Sequence, residues 1–182
     1  EKYRKALQNI PSSKGSYLVT TSTFLQWREF EWAKKTYLQG REEIPKEQFN
    51  YELARANLYL RDYEEMMEEY LNVIRQDEKQ INRIRSSLAS AMSLDVDDSL
   101  RDQFRKQILR RIQAEPAVTG YNRLLIWFLL EEKKFSSALR QSIALDRRTG
   151  NEDVQIFRLA QMALKSKEYS NARDAFEYLL DK

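Results

Sequence analysis

A turn signature that returns at a fixed interval constrains this chain more than any other feature. Lys134-Phe135-Ser136-Ser137-Ala138 stands 34 positions before Glu168-Tyr169-Ser170-Asn171-Ala172, and Asp62-Tyr63-Glu64-Glu65-Met66 stands 33 positions after Glu29-Phe30-Glu31-Trp32-Ala33. Two independent pairs agree on one period, and a period of this length marks an array of stacked supersecondary units. The 72 positions between Tyr63 and Phe135 leave about four residues of slack over two such periods, so an irregular unit is expected in the middle and five units in all.

The unit is clearest at the end of the chain, in DVQIFRLAQMALKSKEYSNARDAFEYLL, Asp153 to Leu180. Ile156, Leu159, Ala160 and Ala163 repeat at the spacing that lays one apolar stripe along an α-helix, and Tyr169, Ala172, Phe176 and Leu179 do so again after a polar turn. Ala160 and Ala172 are small enough to let the two helices approach, while Tyr169 and Phe176 fill the space beside them. A lone hairpin of this kind leaves one apolar flank bare, so a similar neighbour is expected to stack on it.

These residues resemble the tetratricopeptide repeat family, whose unit is a helix-turn-helix of about 34 residues. Leu159 and Ala160 match the tight-packing pair of the first helix, Tyr169 the turn aromatic, and Ala172 and Phe176 the second-helix core. In the first unit Phe30, Ala33, Tyr37 and Gly40 fall at matching spacings, with Pro45 at the helix-ending position. Asn57, Asn122 and Ser142 occupy expected core positions, and the third unit lacks the aromatic turn signature. The resemblance covers roughly residues 14 to 182. It implies an all-α fold, a right-handed α-solenoid of about five antiparallel helix-turn-helix repeats at about 17–45, 46–78, 79–116, 117–150 and 151–182, after a flanking helix and linker at 1–16.

The same resemblance implies a concave face lined by the first helix of each hairpin. That face would present Tyr51, Arg55, Leu58 and Tyr59 from the second unit, Arg123, Trp127 and Leu130 from the fourth, and Phe157, Gln161 and Lys165 from the fifth. Aromatic anchors beside arginines suit an extended peptide, because guanidinium grips carboxylate bidentately. Leu58 and Leu130 suit the core equally well.

Composition agrees with helices. Four glycines and three prolines in 182 residues are too few for the tight turns of a sheet protein. The longest apolar run, Leu124 to Leu130, spans seven residues, against the roughly 20 that cross a bilayer. With no cysteine and no histidine, the chain has no thiolate nucleophile, disulfide or imidazole base. The glycines at 15, 40, 120 and 150 lie too far apart for a phosphate-cradling loop. A noncatalytic chain without cofactor or metal is the expectation.

Several local features admit a second reading. The Tyr3, Ala6, Leu7, Ile10 spacing predicts a short flanking helix, and Pro11 to Ser16 a linker. Tyr17 to Gln26 is rich in β-branched residues, so stacking must hold it helical. The aromatics Trp27, Phe30, Trp32 and Tyr37 are read as core, and Glu64, Glu65, Glu68 and Glu69 as a solvated acidic face. Asp95, Asp97 and Asp98 evoke a calcium loop, but Leu100 stands where its glycine belongs, so they are read as the cap of a helix from Leu100 to Ile112. That helix carries Arg101, Arg105, Lys106, Arg110 and Arg111, yet a net charge of +3 with interspersed acids argues against a nucleic-acid surface. The segment 121–131 is apolar nearly all round and is expected between neighbours, with Trp127 directed to the inner surface.

The sequence therefore points to a scaffold that binds a protein or peptide. A structural spacer is the competing reading, and Ala172 to Glu177 faintly resembles the half-repeats of RNA-processing proteins. The chain opens on Glu1 and reads as a segment of a longer protein, with cytoplasmic and exported settings and the oligomeric state all left open.

Overall fold

The computed structural model describes residues 2–182, and among these residues the chain is all-α: eleven α-helices and one 3-10 turn, with no strand. No helix is long and apolar enough to cross a membrane among the described residues. The chain divides into two compact units, the first ending at Gln107 and the second beginning at Ile108. The first unit contains α1 (Lys2–Gln8), α2 (Lys14–Gln26), α3 (Phe30–Glu43), α4 (Asn50–Tyr59), α5 (Tyr63–Gln76), a 3-10 turn (Glu78–Gln80) and α6 (Ile81–Met92). Helix α7 (Ser99–Ala114) carries the division, and the second unit continues with α8 (Thr119–Glu131), α9 (Phe135–Thr149), α10 (Asp153–Lys165) and α11 (Tyr169–Leu180).

Consecutive helices pack as hairpins: α2 with α3 and α4 with α5 in the first unit, α8 with α9 and α10 with α11 in the second. Four turns that make these hairpins share one geometry. Arg28, Arg61, Lys133 and Lys167 adopt left-handed backbone with φ of 58°, 57°, 54° and 63°. The next residue then donates its N–H back to the carbonyl five positions earlier: Glu29 to Phe24, Asp62 to Asn57, Lys134 to Leu129 and Glu168 to Ala163, at 2.8–2.9 Å. This is the Schellman closure, which satisfies the last carbonyls of a helix and reverses the chain. Glycine favours the left-handed position because it lacks a Cβ, but here an arginine or lysine occupies it each time.

Immediately after each closure the second helix starts at Phe30, Tyr63, Phe135 or Tyr169. Three residues on, Ala33, Met66, Ala138 and Ala172 are each 2 % exposed or less. The irregular middle follows a different rule. Ser99 opens α7 and stands 36 positions from both Tyr63 and Phe135, so the slack is shared evenly and a serine takes the aromatic's place. The aspartates cap this helix: Asp95 accepts from the N–H groups of Leu100 (3.0 Å) and Arg101 (3.3 Å), and Asp97 from the Ser99 hydroxyl at 2.7 Å. Negative charge at a helix N-terminus is favourable in its own right.

Helix α2 begins at Lys14, three residues before the sequence suggests, because the Ser13 hydroxyl accepts the Ser16 N–H as an N-cap. Its hydroxyls return to backbone carbonyls three or four residues back, as Thr21 does to Tyr17 at 2.7 Å, which lets a polar side chain sit fully buried. Tyr17, Tyr37, Phe49 and Leu53 form one core of the first unit. Gly40 of α3 lies against it, where a Cβ would come 2.9 Å from Tyr17 Cδ1 and 3.0 Å from Phe49 Cε2.

The second unit has its own cores, one of Ala138, Leu139, Ile156, Leu159, Ala160 and Ala175, the other of Phe135, Ala163 and Ala172. Several buried polar residues at core positions are held by partners, although the Oδ1 of buried Asn57 has none among the described residues. Ser142 bonds the Ala138 carbonyl at 2.9 Å, and Asn122 accepts from Arg148 at 3.3 Å. Asn50 accepts from Arg41 at 2.8 Å, and that guanidinium also grips both oxygens of Glu69 at 2.7 and 3.0 Å.

Two outcomes are expected. Gly40→Ala forces a Cβ against two packed rings and lowers the unfolding free energy by about 1–3 kcal/mol in urea, overpacking outweighing alanine's better helix propensity. Lys167→Gly relieves a left-handed L-residue in an exposed turn and raises stability by about 0.5–1 kcal/mol in the same assay.

Candidate functional site

In the first unit, α4, α5 and α6 enclose a groove of about 410 Å³ lined by Arg55, Leu58, Tyr59, Tyr70, Ser86, Ser87, Ser90, Ala91 and Leu94. Tyr51, Arg55 and Tyr59 recur every four residues along α4, so one face of that helix carries all three. Arg83, Ser87 and Ser90 recur at the matching helical spacing on α6. Tyr70 of α5 is 1 % exposed and contributes the inner wall.

The side chains are tied together. The Tyr51 and Ser87 hydroxyls lie 2.9 Å apart. The Arg83 guanidinium sits 3.5 Å from the Tyr51 ring centroid, a cation–π contact. Tyr59 stacks on Phe30 with centroids 4.8 Å apart and planes 13° from parallel, yet remains 46 % exposed. Burial pushes the Tyr70 hydroxyl up to about 12, which keeps it neutral. Burial also acts to raise Tyr51, but Ser87, Arg83 and Arg55 outweigh it and the net shift is downward. Arg55 is raised, chiefly through its hydrogen bond with Tyr59. The groove thus combines fixed positive charge, hydroxyl donors and an apolar edge at Leu58, Ala91 and Leu94.

The structure brings Arg55, Leu58 and Tyr59 together in this wall, with Tyr51 behind them. It also adds residues that sequence reading missed. Arg83, Ser86, Ser87 and Ser90 lie on α6 away from its buried stripe of Ile84, Leu88 and Ala91. Their polar periodicity is visible in the sequence, but only packing shows that α6 faces α4.

The remaining sequence-identified residues belong to the second unit. Arg123 donates to Glu152 Oε1 through Nε at 3.0 Å and Nη2 at 2.6 Å, with Glu152 only 2 % exposed. Trp127 is half-buried, and Leu130 packs against both cores of that unit. Phe157 is 47 % exposed and edges onto Phe176 at 5.8 Å, while Gln161 and Lys165 are exposed on the same helix. Comparison with protein-family models and with curated proteins gives no match to this chain, so the functional argument rests on geometry.

Glu152 also leads to a buried charge. Its N–H donates to Asp146 Oδ1 at 2.9 Å, and Asp146 accepts further from Tyr178 at 2.9 Å and Lys182 at 2.8 Å. Burial would raise the Asp146 carboxyl, but the bonds from Lys182, the Glu152 N–H and Tyr178 prevail and hold it below the usual carboxylate range. A carboxyl lowered on folding contributes stability that is present above its unfolded value, about 4, and is lost as pH falls through the folded one. Asp146→Asn is therefore expected to be less stable than wild type at pH 7. In urea titrations across pH, that gap should close progressively below about pH 4.

Proposed function

We propose that this chain is a noncatalytic, tetratricopeptide-like right-handed solenoid of about five repeats that binds a peptide segment of another protein. The four equivalent Schellman turns, each followed by an aromatic and then a buried residue three positions on, support the repeat reading. The observation that carries the binding reading is the groove of α4, α5 and α6, with Tyr59 half-exposed and Arg55 beside it on the helix face where the repeat resemblance expects ligand contacts. An exposed ring held rigid by stacking loses little conformational freedom on binding, and arginine with tyrosine dominates the energetics of many protein interfaces. Side chains in the groove are arginine, tyrosine, serine and aliphatic, in a chain without histidine or cysteine, which suits recognition better than bond-making.

Selection from a random-peptide phage library tests the reading directly. The wild-type chain should enrich a related set of sequences that an Arg55→Glu, Tyr59→Ala variant of equal helicity by circular dichroism fails to retain. Enrichment of nothing, or equal retention by the folded variant, removes the groove as a peptide site.

A further inference from the structure

A second cavity of the first unit, of about 350 Å³, lies where the start of α5 meets the first turns of α7 and is lined by Arg61, Asp62, Tyr63, Glu64, Ser99 and Gln103. It falls at the irregular step of the hairpin series. Second helices elsewhere open on Phe30, Tyr63, Phe135 or Tyr169, whereas α7 opens on Ser99, and a serine side chain fills far less volume than an aromatic ring.

The donors around this cavity are already committed. The Arg61 guanidinium pairs with Asp97 at 3.0 Å and lies 5.8 Å from the Tyr63 ring centroid, and the Ser99 hydroxyl donates to Asp97 at 2.7 Å. Two helix starts here would attract an anion, but Asp62 caps one and Asp95 and Asp97 cap the other.

The acceptors are not all committed. Asp62 is shared between Lys34 and the Glu65 N–H. Glu64 accepts from the Gln107 amide at 3.2 Å and has no cation within ion-pair distance among the described residues. Gln103 and Gln107 stand one turn apart on the same face of α7. The Oε1 atom of each is buried and accepts no hydrogen bond from the chain. A buried acceptor without a donor costs free energy, and so does a carboxylate drawn against a partly enclosed wall. Water supplies a donor but leaves the charge in place, whereas a cationic donor answers both.

We propose that this cavity binds an alkylammonium group, for which a partner's lysine side chain and a free polyamine are two sources of the same chemistry. An ammonium carries three donors and no acceptor, and Glu64, Gln103 Oε1 and Asp62 are the acceptors it meets. Its methylene stem packs along the Tyr63 ring. A calcium ion fits less well, because it takes about six to eight oxygens and Asp62 is already paired with Lys34. The site is separate from the groove of α4, α5 and α6 and does not depend on the peptide reading.

The test is an amide chemical-shift titration of the isotope-labelled chain with diaminopentane and with acetyl-lysine amide, at fixed ionic strength. Acetyl-norleucine amide is the uncharged counterpart. Both amines should give saturable shifts at Glu64, Ser99 and Gln103, and the norleucine derivative should bind roughly tenfold more weakly or worse. Tighter binding of acetyl-lysine amide assigns the site to a protein lysine, and tighter binding of the diamine to a free polyamine. Glu64→Gln should lower amine affinity roughly tenfold, while Glu65→Gln, the same charge change just outside the wall, should leave it within about twofold. Gln103→Leu should weaken binding yet melt no lower than wild type, because it removes an unpartnered acceptor. Equal binding of the norleucine derivative, equal losses in Glu64→Gln and Glu65→Gln, tighter binding of calcium at the same residues, or no saturable shift would each overturn the proposal.

Discussion

Everything else in these helical hairpins depends on the closure that ends each first helix. A helix leaves its last carbonyls unsatisfied, and the N–H groups of the left-handed residue and its successor return to them within two positions. The reversal is therefore complete in a minimal number of residues, and the second helix starts with its register already determined. Ala33, Met66, Ala138 and Ala172 then face the partner helix because they sit three residues after the first residue of that helix. The strain of placing Arg28, Arg61, Lys133 or Lys167 in left-handed backbone is tolerated because helix packing on both sides over-determines the turn.

Polar groups at buried positions follow from the same register. Asn57, Asn122 and Ser142 lie where an apolar residue would be expected; Asn122 and Ser142 each hydrogen-bond a nearby group, whereas the buried Asn57 Oδ1 has no hydrogen-bond partner among the described residues. Arg41 joins α3 to α4 and α5 through Gln48, Asn50 and Glu69 at once. Burial still pushes the Glu69 carboxyl upward against the pull of Arg41. Asp146 resolves the same conflict in the opposite direction, because three donors converge on it and outweigh the cost of burial. The groove differs from both, since no carboxylate lines it beside Arg55.

Much of the local structure was legible beforehand because short-range physics sets it. The aromatics at 30, 63, 135 and 169 open helices, and the aspartates at 95 and 97 cap one, since turns and caps depend on residues within a few positions of each other. What could not be read locally went astray in instructive ways. The left-handed turn residue was hidden because it is basic where glycine is the usual sign. The start of α2 was placed late because Ser13 looked like linker until its hydroxyl was seen to cap. The α4 stripe of Tyr51, Arg55 and Tyr59 could be read from spacing, whereas Arg83 and the α6 serines could not be joined to it.

By itself, then, the sequence determined an all-helical chain, the spacing of its hairpin turns, and much of the apolar face of its helices, because periodicity and capping are properties of contiguous residues; Trp27, read as core, and Tyr169, read as filling the last hairpin, are instead 76 % and 62 % exposed. Only the tertiary structure decided which faces meet: that Gly40 must stay small beneath Tyr17 and Phe49, that Arg123 answers Glu152, and that α4 and α6 flank one groove. Apart from Gly40 and Phe49, nine positions apart, those pairings join residues 23 to 36 positions apart. Spacing along a helix fixes direction around its axis but carries no information about which neighbour lies there.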